Sequence, residues 1–141
     1  MDPLDASLLA HGAVLLVDSA PIIYTLEANA RYAARFAPLF QRHALGEIEL
    51  AVSTITIAEV LTGPLKAGEE ALAKRYRAVL EAWRVVDVTG DIAESAARLR
   101  GAFGLKLPDA IQAASALAIN AEALVTHDRD FSRLRGLTVL S

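Results

Sequence analysis

Short unbroken apolar runs alternate with longer segments in which apolar residues recur every three or four positions, from Ala13 to the end of the chain. Val14-Leu15-Leu16-Val17 has no polar interruption, the pattern of a strand buried on both faces. Leu50–Ser53, Val85–Val88, Ala123–Thr126 and Leu137–Leu140 are further strand candidates. Between them, Tyr32, Phe36, Leu39 and Phe40 fall on one helical stripe, and Leu72, Tyr76, Val79, Leu80 and Trp83 on another. Ile92, Ala96, Leu99 and Phe103 make a third, with Gly104 as its expected stop, and Ala110, Ile111, Ala114, Leu117 and Ala118 a fourth that closes near Asn120.

Strands alternating with helices predict right-handed crossovers and a mainly parallel sheet. Ligands of such sheets collect at the carboxyl ends of the strands, beside the point where strand order reverses. Four carboxylates fall at that edge in the predicted layout. Asp18 follows the first strand, Glu59 lies in the opening turns of the helix after the second, Asp109 follows Pro108 at a helix start, and Asp128 comes two residues after Thr126. Each has a bland reading alone: Asp18 and Asp109 as helix caps, Glu59 as a partner of the helix dipole, Asp128 as a turn residue. Four such coincidences at one edge favour a shared site. Carboxylates gathered at short range repel and take up protons unless a cation lies between them. Hard oxygen donors select Mg²⁺ or Mn²⁺, which keep several waters and bridge to phosphates.

Composition narrows this picture. The chain has 141 residues, enough for one domain with its own core, and no cysteine, which excludes disulfides and thiolate metal sites. Its hydrophobic share of 54% owes much to alanine in helical patterns, which suggests that some apolar surface is left for a partner. No apolar run approaches the roughly 20 residues of a membrane span. The start, with Asp2 and Asp5 before a short run, lacks the basic residues and length of a secretion signal, so a cytoplasmic location is expected. The net charge of −3 argues against a generic nucleic-acid coat but not against a nuclease, whose acidic site adds negative charge.

The segments carrying the acids are Leu16-Val17-Asp18-Ser19, Thr56-Ile57-Ala58-Glu59-Val60-Leu61, Leu107-Pro108-Asp109-Ala110-Ile111-Gln112-Ala113-Ala114 and Leu124-Val125-Thr126-His127-Asp128-Arg129-Asp130-Phe131. In that order they resemble the successive motifs of PIN domains, most closely those of VapC-type toxins of bacterial toxin–antitoxin pairs. The resemblance runs from about Ala13 to the C-terminus. It implies an α/β three-layer sandwich around a central five-stranded, mainly parallel sheet, spanning residues 1–141 with residues 1–12 as an N-terminal extension. It further implies a Mg²⁺- or Mn²⁺-dependent endoribonuclease that leaves a 3′-hydroxyl and a 5′-phosphate, a homodimer, and inhibition by a small antitoxin.

By match to the motifs, Asp18, Glu59, Asp109 and Asp128 take the acidic roles, with Asp18, Asp109 and Asp128 as metal ligands, and Thr126 steadies the cluster. Asp130 is an alternative to Asp128; if Asp128 points inward, Asp130 is expected to cap the short helix leading to Phe131. Arg98, Arg100, Lys106, Arg129 and Arg133 are candidates for RNA phosphates or for a solvated face, Asp91 for a helix cap, and His127 is the best placed histidine. Tyr32, Phe36, Phe40, Tyr76 and Trp83 are expected in the core. Two other readings compete: a silent PIN-like module that binds RNA or protein, and a phospho-acceptor or phosphatase with Asp18 as nucleophile. The first is disfavoured because all four acids are present, the second because no lysine precedes Lys66. Which RNA is cut is not legible, since such choice rests on RNA shape and loop contacts.

Overall fold

The computed structural model describes residues 2–141. Met1 of the expected extension lies outside them. The elements follow in the order β1 (Val14–Val17), α1 (Ser19–Leu26), α2 (Ala33–Ala44), β2 (Glu49–Ser53), α3 (Thr54–Lys66), α4 (Glu70–Glu81), β3 (Arg84–Val86), α5 (Gly90–Phe103), α6 (Leu107–Ala118), β4 (Ala123–Val125), a 3-10 helix (Arg129–Arg133) and β5 (Val139–Leu140).

The five strands form one sheet in the order β3-β2-β1-β4-β5, and every pairing is parallel. The chain steps outward from β1 through β2 to β3, and α5 and α6 then carry it back across the sheet to β4, on the other side of β1. Strand order therefore reverses between β1 and β4, where Leu16 pairs with Leu124.

The unbroken apolar run of β1 serves two cores. Leu15 and Val17 pack with Ile22, Phe36, Leu39 and Leu80, while Leu16 faces Ala96, Ala110, Ala113 and Phe131. Alternate side chains of a strand point to opposite faces, so a strand sandwiched between helix layers must be apolar at every position. The layer of α1–α4 covers one face and α5–α6 the other. The alanines of α6 are buried from Ala110 to Ala116, so they serve close packing rather than leaving surface for a partner. The large apolar side chains that do stand out are Leu8, Leu45, Leu65, Val79, Leu107 and Leu117.

Several boundaries differ from the sequence pattern for local reasons. Trp83 lies beyond the end of α4, against Phe40 and His43. Val88 leaves β3 because its amide turns to the Thr54 hydroxyl. Asp91 does not cap α5: the Thr89 hydroxyl accepts the Ile92 amide, and Asp91 sits in the first turn. Gly104 ends α5 in the left-handed region, at φ 68°. The N-terminal segment is strapped to α2, with the Leu4 amide on the Arg35 carbonyl and the Arg42 guanidinium donating to the Ala6 and Leu9 carbonyls. Among the described residues no helix is long and apolar enough to cross a membrane.

Candidate metal centre

The carboxyl edge of β1 and β4 is polar by construction. Asp18 leaves β1 as the N-cap of α1, where its Oδ1 accepts the Ser19 amide at 2.8 Å. The same oxygen accepts the Gln112 side-chain amide at 3.2 Å, and Oδ2 accepts the Thr126 hydroxyl at 2.9 Å. Capping and clustering, alternatives on the sequence, are thus combined in one side chain. Burial raises the Asp18 pKa, as does Asp128 nearby, and the donors from Ser19, Thr126 and Gln112 oppose the shift.

Gln112 is buried at 1% exposure in the middle of α6 and is fully engaged. Its Oε1 accepts the Ser53 hydroxyl at 3.0 Å and its Nε2 donates to the Thr56 hydroxyl at 2.6 Å. Ser53, which ends β2, also caps α3, and Ser53 and Thr56 are both fully buried. A hydrogen-bonded network therefore runs from the end of β2 through α6 to Asp18 and on to β4. Thr126 gives that end a polarity: its hydroxyl donates to Asp18 and accepts the Asp128 amide at 3.0 Å.

The second half of the cleft is built differently. Asp109 lies in the first turn of α6 without capping it, and its Oδ2 is buried with no hydrogen-bond partner among the described residues. Asp109, Asp128 and Asp130 each place a carboxylate oxygen within 4.8 Å of the other two. Asp109 is pushed up to about 6, chiefly by burial and then by the charges of Asp128, Asp18 and Asp130. Asp18 stands outside this tight trio, and both its oxygens accept from protein donors. Glu59 is at the exposed rim; its pKa is raised by partial burial of the carboxyl and then by Asp18, against the opposing Ser19 hydroxyl.

The roles expected of the two late acids are redistributed. Asp128 both joins the trio and caps the 3-10 helix, its Oδ1 accepting the Asp130 amide at 2.8 Å. Asp130 is not the cap; it lies in the first turn, 3.8 Å from the Lys106 ammonium. One short helix therefore brings both carboxylates to the trio.

A PIN-domain family model matches residues 15–137. This chain belongs to the PIN-domain family. A toxin–antitoxin complex from Klebsiella pneumoniae contains a chain similar to it at 30% identity, with 90% of this chain and 96% of that chain covered and a TM-score of 0.70. VapBC-1 from nontypeable Haemophilus influenzae shares the fold at 23% identity, over 91% of this chain and 97% of that one, with a TM-score of 0.72. VapC20 of Mycobacterium tuberculosis, a toxin that cleaves the sarcin–ricin loop, shares it at 20% identity, over 84% and 92%, with a TM-score of 0.66. No curated protein matches the sequence.

In this PIN domain the other candidates separate by position. Arg98 pairs with Glu94 at 3.5 Å on an exposed helix face, and Arg100 donates to the Leu105 carbonyl at 3.3 Å. His127 packs against Tyr32 and Phe36, with the Tyr24 hydroxyl 2.9 Å from its Nδ1. Sequence reasoning passed over Gln112, Ser53 and Thr56. A signal existed for the first: Gln112 is a lone polar residue inside the apolar stripe of α6, and a buried amide needs partners.

Proposed function

We propose that this PIN domain is a divalent-metal-dependent endoribonuclease and the toxin of a toxin–antitoxin pair. The observation that carries the reading is the buried, unpartnered Asp109 Oδ2 beside the oxygens of Asp128 and Asp130. Three carboxylates at that range, one with a buried orphan lone pair, are the donor set of a hard cation. Asp109 and Asp128 would hold Mg²⁺ or Mn²⁺, with Asp130 or Asp18 completing the set. When bound, the ion supplies a water of lowered pKa and neutralises charge on the phosphate under attack.

The chain's own residues do the rest. Thr126, Gln112 and the Ser19 amide favour the ionised form of Asp18 against its burial and hold the side chain in place at the cleft. Asp109, raised to about 6, would have to be deprotonated to serve as a ligand. Glu59 adds charge at the rim. An in-line attack by water on phosphorus leaves a 3′-hydroxyl and a 5′-phosphate. The likeness to a chain of a toxin–antitoxin complex supports a small antitoxin as partner. The domain is read further as a homodimer that acts on RNA in the cytoplasm.

The test is cleavage of end-labelled single-stranded RNA in Mg²⁺, in Mn²⁺ and in EDTA, for the wild type and for Asp18→Asn/Asp109→Asn. Cleavage is expected only with metal and only in the wild type. RNA binding without cleavage in either metal would favour a silent binding module. Equal cleavage in EDTA would remove the metal from the mechanism. Co-expression with the neighbouring gene product should recover a stoichiometric inhibitor.

A further inference from the structure

The loop that ends α5 and the 3-10 helix border a polar cavity of about 220 Å³, lined by Phe103, Gly104, Lys106, Asp130 and Arg133. We propose that it is a phosphate subsite for single-stranded RNA, holding a backbone phosphate next to the one under attack. The inference rests on the nuclease reading for the nature of the strand.

Position is the first argument. The loop at 104–106 leads into α6 and so to Asp109, while the 3-10 helix carries Asp130 and Arg133 and is capped by Asp128. The two segments that form the carboxylate trio therefore also form the cavity, and Asp130 belongs to both.

Charge is the second. A polyanion entering a cleft of several carboxylates needs fixed cations beside it, and the chain as a whole carries −3. Lys106 and Arg133 supply two such charges. Arg133 makes no ion pair or hydrogen bond among the described residues that would occupy its guanidinium. Lys106 has only the 3.8 Å contact to Asp130, with both side chains well exposed, a pair that costs little to exchange. A cation loaded on Asp130 would compete for its carboxylate and release the ammonium to the RNA.

Shape is the third. A Cβ at Gly104 would meet the Arg133 Nη1 at 3.7 Å, so the guanidinium lies over the bare backbone of the turn. Arg100 ties down the same turn through the Leu105 carbonyl. The half-buried Phe103 offers a ring beside the two cations, the combination by which single strands are held without sequence preference.

The experiment compares the wild type with Lys106→Gln/Arg133→Gln, with the charge-conserving Lys106→Arg/Arg133→Lys, and with Lys74→Gln on α4 as a control for lost charge. Anisotropy titrations of a labelled single-stranded RNA in EDTA, over a range of salt, read binding apart from chemistry. The double glutamine variant should bind several-fold more weakly, and its slope of log K against log salt should be shallower by about 1.4. The charge-conserving variant and Lys74→Gln should keep the wild-type slope. Single-turnover cleavage by the double glutamine variant should need several-fold more enzyme for half-saturation, and a dinucleotide, with one phosphate, should not distinguish the proteins. Unchanged affinity and slope in the double glutamine variant, with cleavage intact in the wild type, would overturn the subsite alone. A fall in the saturating rate at unchanged affinity would also overturn it. The expected loss of slope in a wild type that cleaves nothing would overturn the nuclease reading and leave the subsite standing. Absence of both binding and cleavage would overturn both.

Discussion

Asp18 and Asp109 enter the same cleft, from the end of β1 and the start of α6, under opposite conditions. Asp18 meets the Ser19 amide, the Gln112 amide and the Thr126 hydroxyl, whereas the Asp109 Oδ2 is buried and meets no donor. Both carboxyls are raised by burial, but only that of Asp18 has protein donors pulling it back. One side of the cleft is thus satisfied by the protein itself, and the other by whatever cation or proton arrives. Buried polar atoms are nearly always partnered; of the two exceptions among the described residues, Ser115 Oγ and Asp109 Oδ2, only the second lies among other carboxylates, where a cation belongs.

The largest expected effect separates binding of the cation from folding. Asp128→Asn should lower metal-dependent cleavage by about 10²–10³, the range for loss of one electrostatic stabiliser. Asparagine keeps the cap on the 3-10 helix, so denaturant melts should stay close to wild type. A variant that is active but unstable would reverse the assignment and move the chemistry to Asp130.

The two halves should next differ in the sign of their stability effects. Asp18→Asn turns an amide N–H toward groups that are themselves donors and should destabilise the metal-free protein by about 1–3 kcal/mol. Gln112→Leu, which strands the Ser53 and Thr56 hydroxyls, should cost about the same. Asp109→Asn removes an unpartnered, repelled charge and should leave the metal-free protein at least as stable near neutral pH. Equal losses at Asp18 and Asp109 in parallel melts would break the comparison.

The pH dependence of the metal effect sharpens it further. The Asp109 pKa rises from 3.8 to about 6 on folding, so between those values the folded chain binds the proton more tightly than the unfolded one. This contribution is present at low pH and is lost as pH rises through about 6. Metal binding must displace the same proton. The gain in melting temperature with Mn²⁺ should therefore be small at about pH 5 and larger above about pH 7, and absent at both in Asp109→Asn. A gain that ignores pH would show that the ion binds away from Asp109.

The smallest effect concerns Asp130. Its carboxylate is exposed and its contact with Lys106 is long, so Asp130→Asn should change stability by no more than about 0.5 kcal/mol. Metal affinity, read by Mn²⁺ titration, should fall if Asp130 is a ligand and hold if Asp18 takes that place.

The fold was legible wherever a single periodicity decided it. The apolar run of β1, the stripe of α5 and its Gly104 stop, and the strand–helix alternation that demands a parallel sheet all lie in the sequence. So does the expectation that acids after β1, in α3, at the start of α6 and after β4 would meet at one edge, because parallel strands present their carboxyl ends together. Asp130 as a cap was misplaced, and so was Asp91, because a cap is decided by one side-chain torsion and the helix start can shift by a residue or two. The buried surface of α6 was likewise invisible, since an alanine stripe reads the same whether α5 covers it or solvent does.

What the sequence by itself determined is the set of acids and the edge that gathers them, because composition and period are local properties. Only the tertiary structure decided which carboxylate is braced and which is bare. That division depends on Gln112 of α6 reaching Asp18 just past the end of β1, and on Thr126 lying across from it just past the end of β4, residues 94 and 108 positions away. Hydrogen bonds across such separations follow from the crossover that sets β4 beside β1, and no local pattern encodes them.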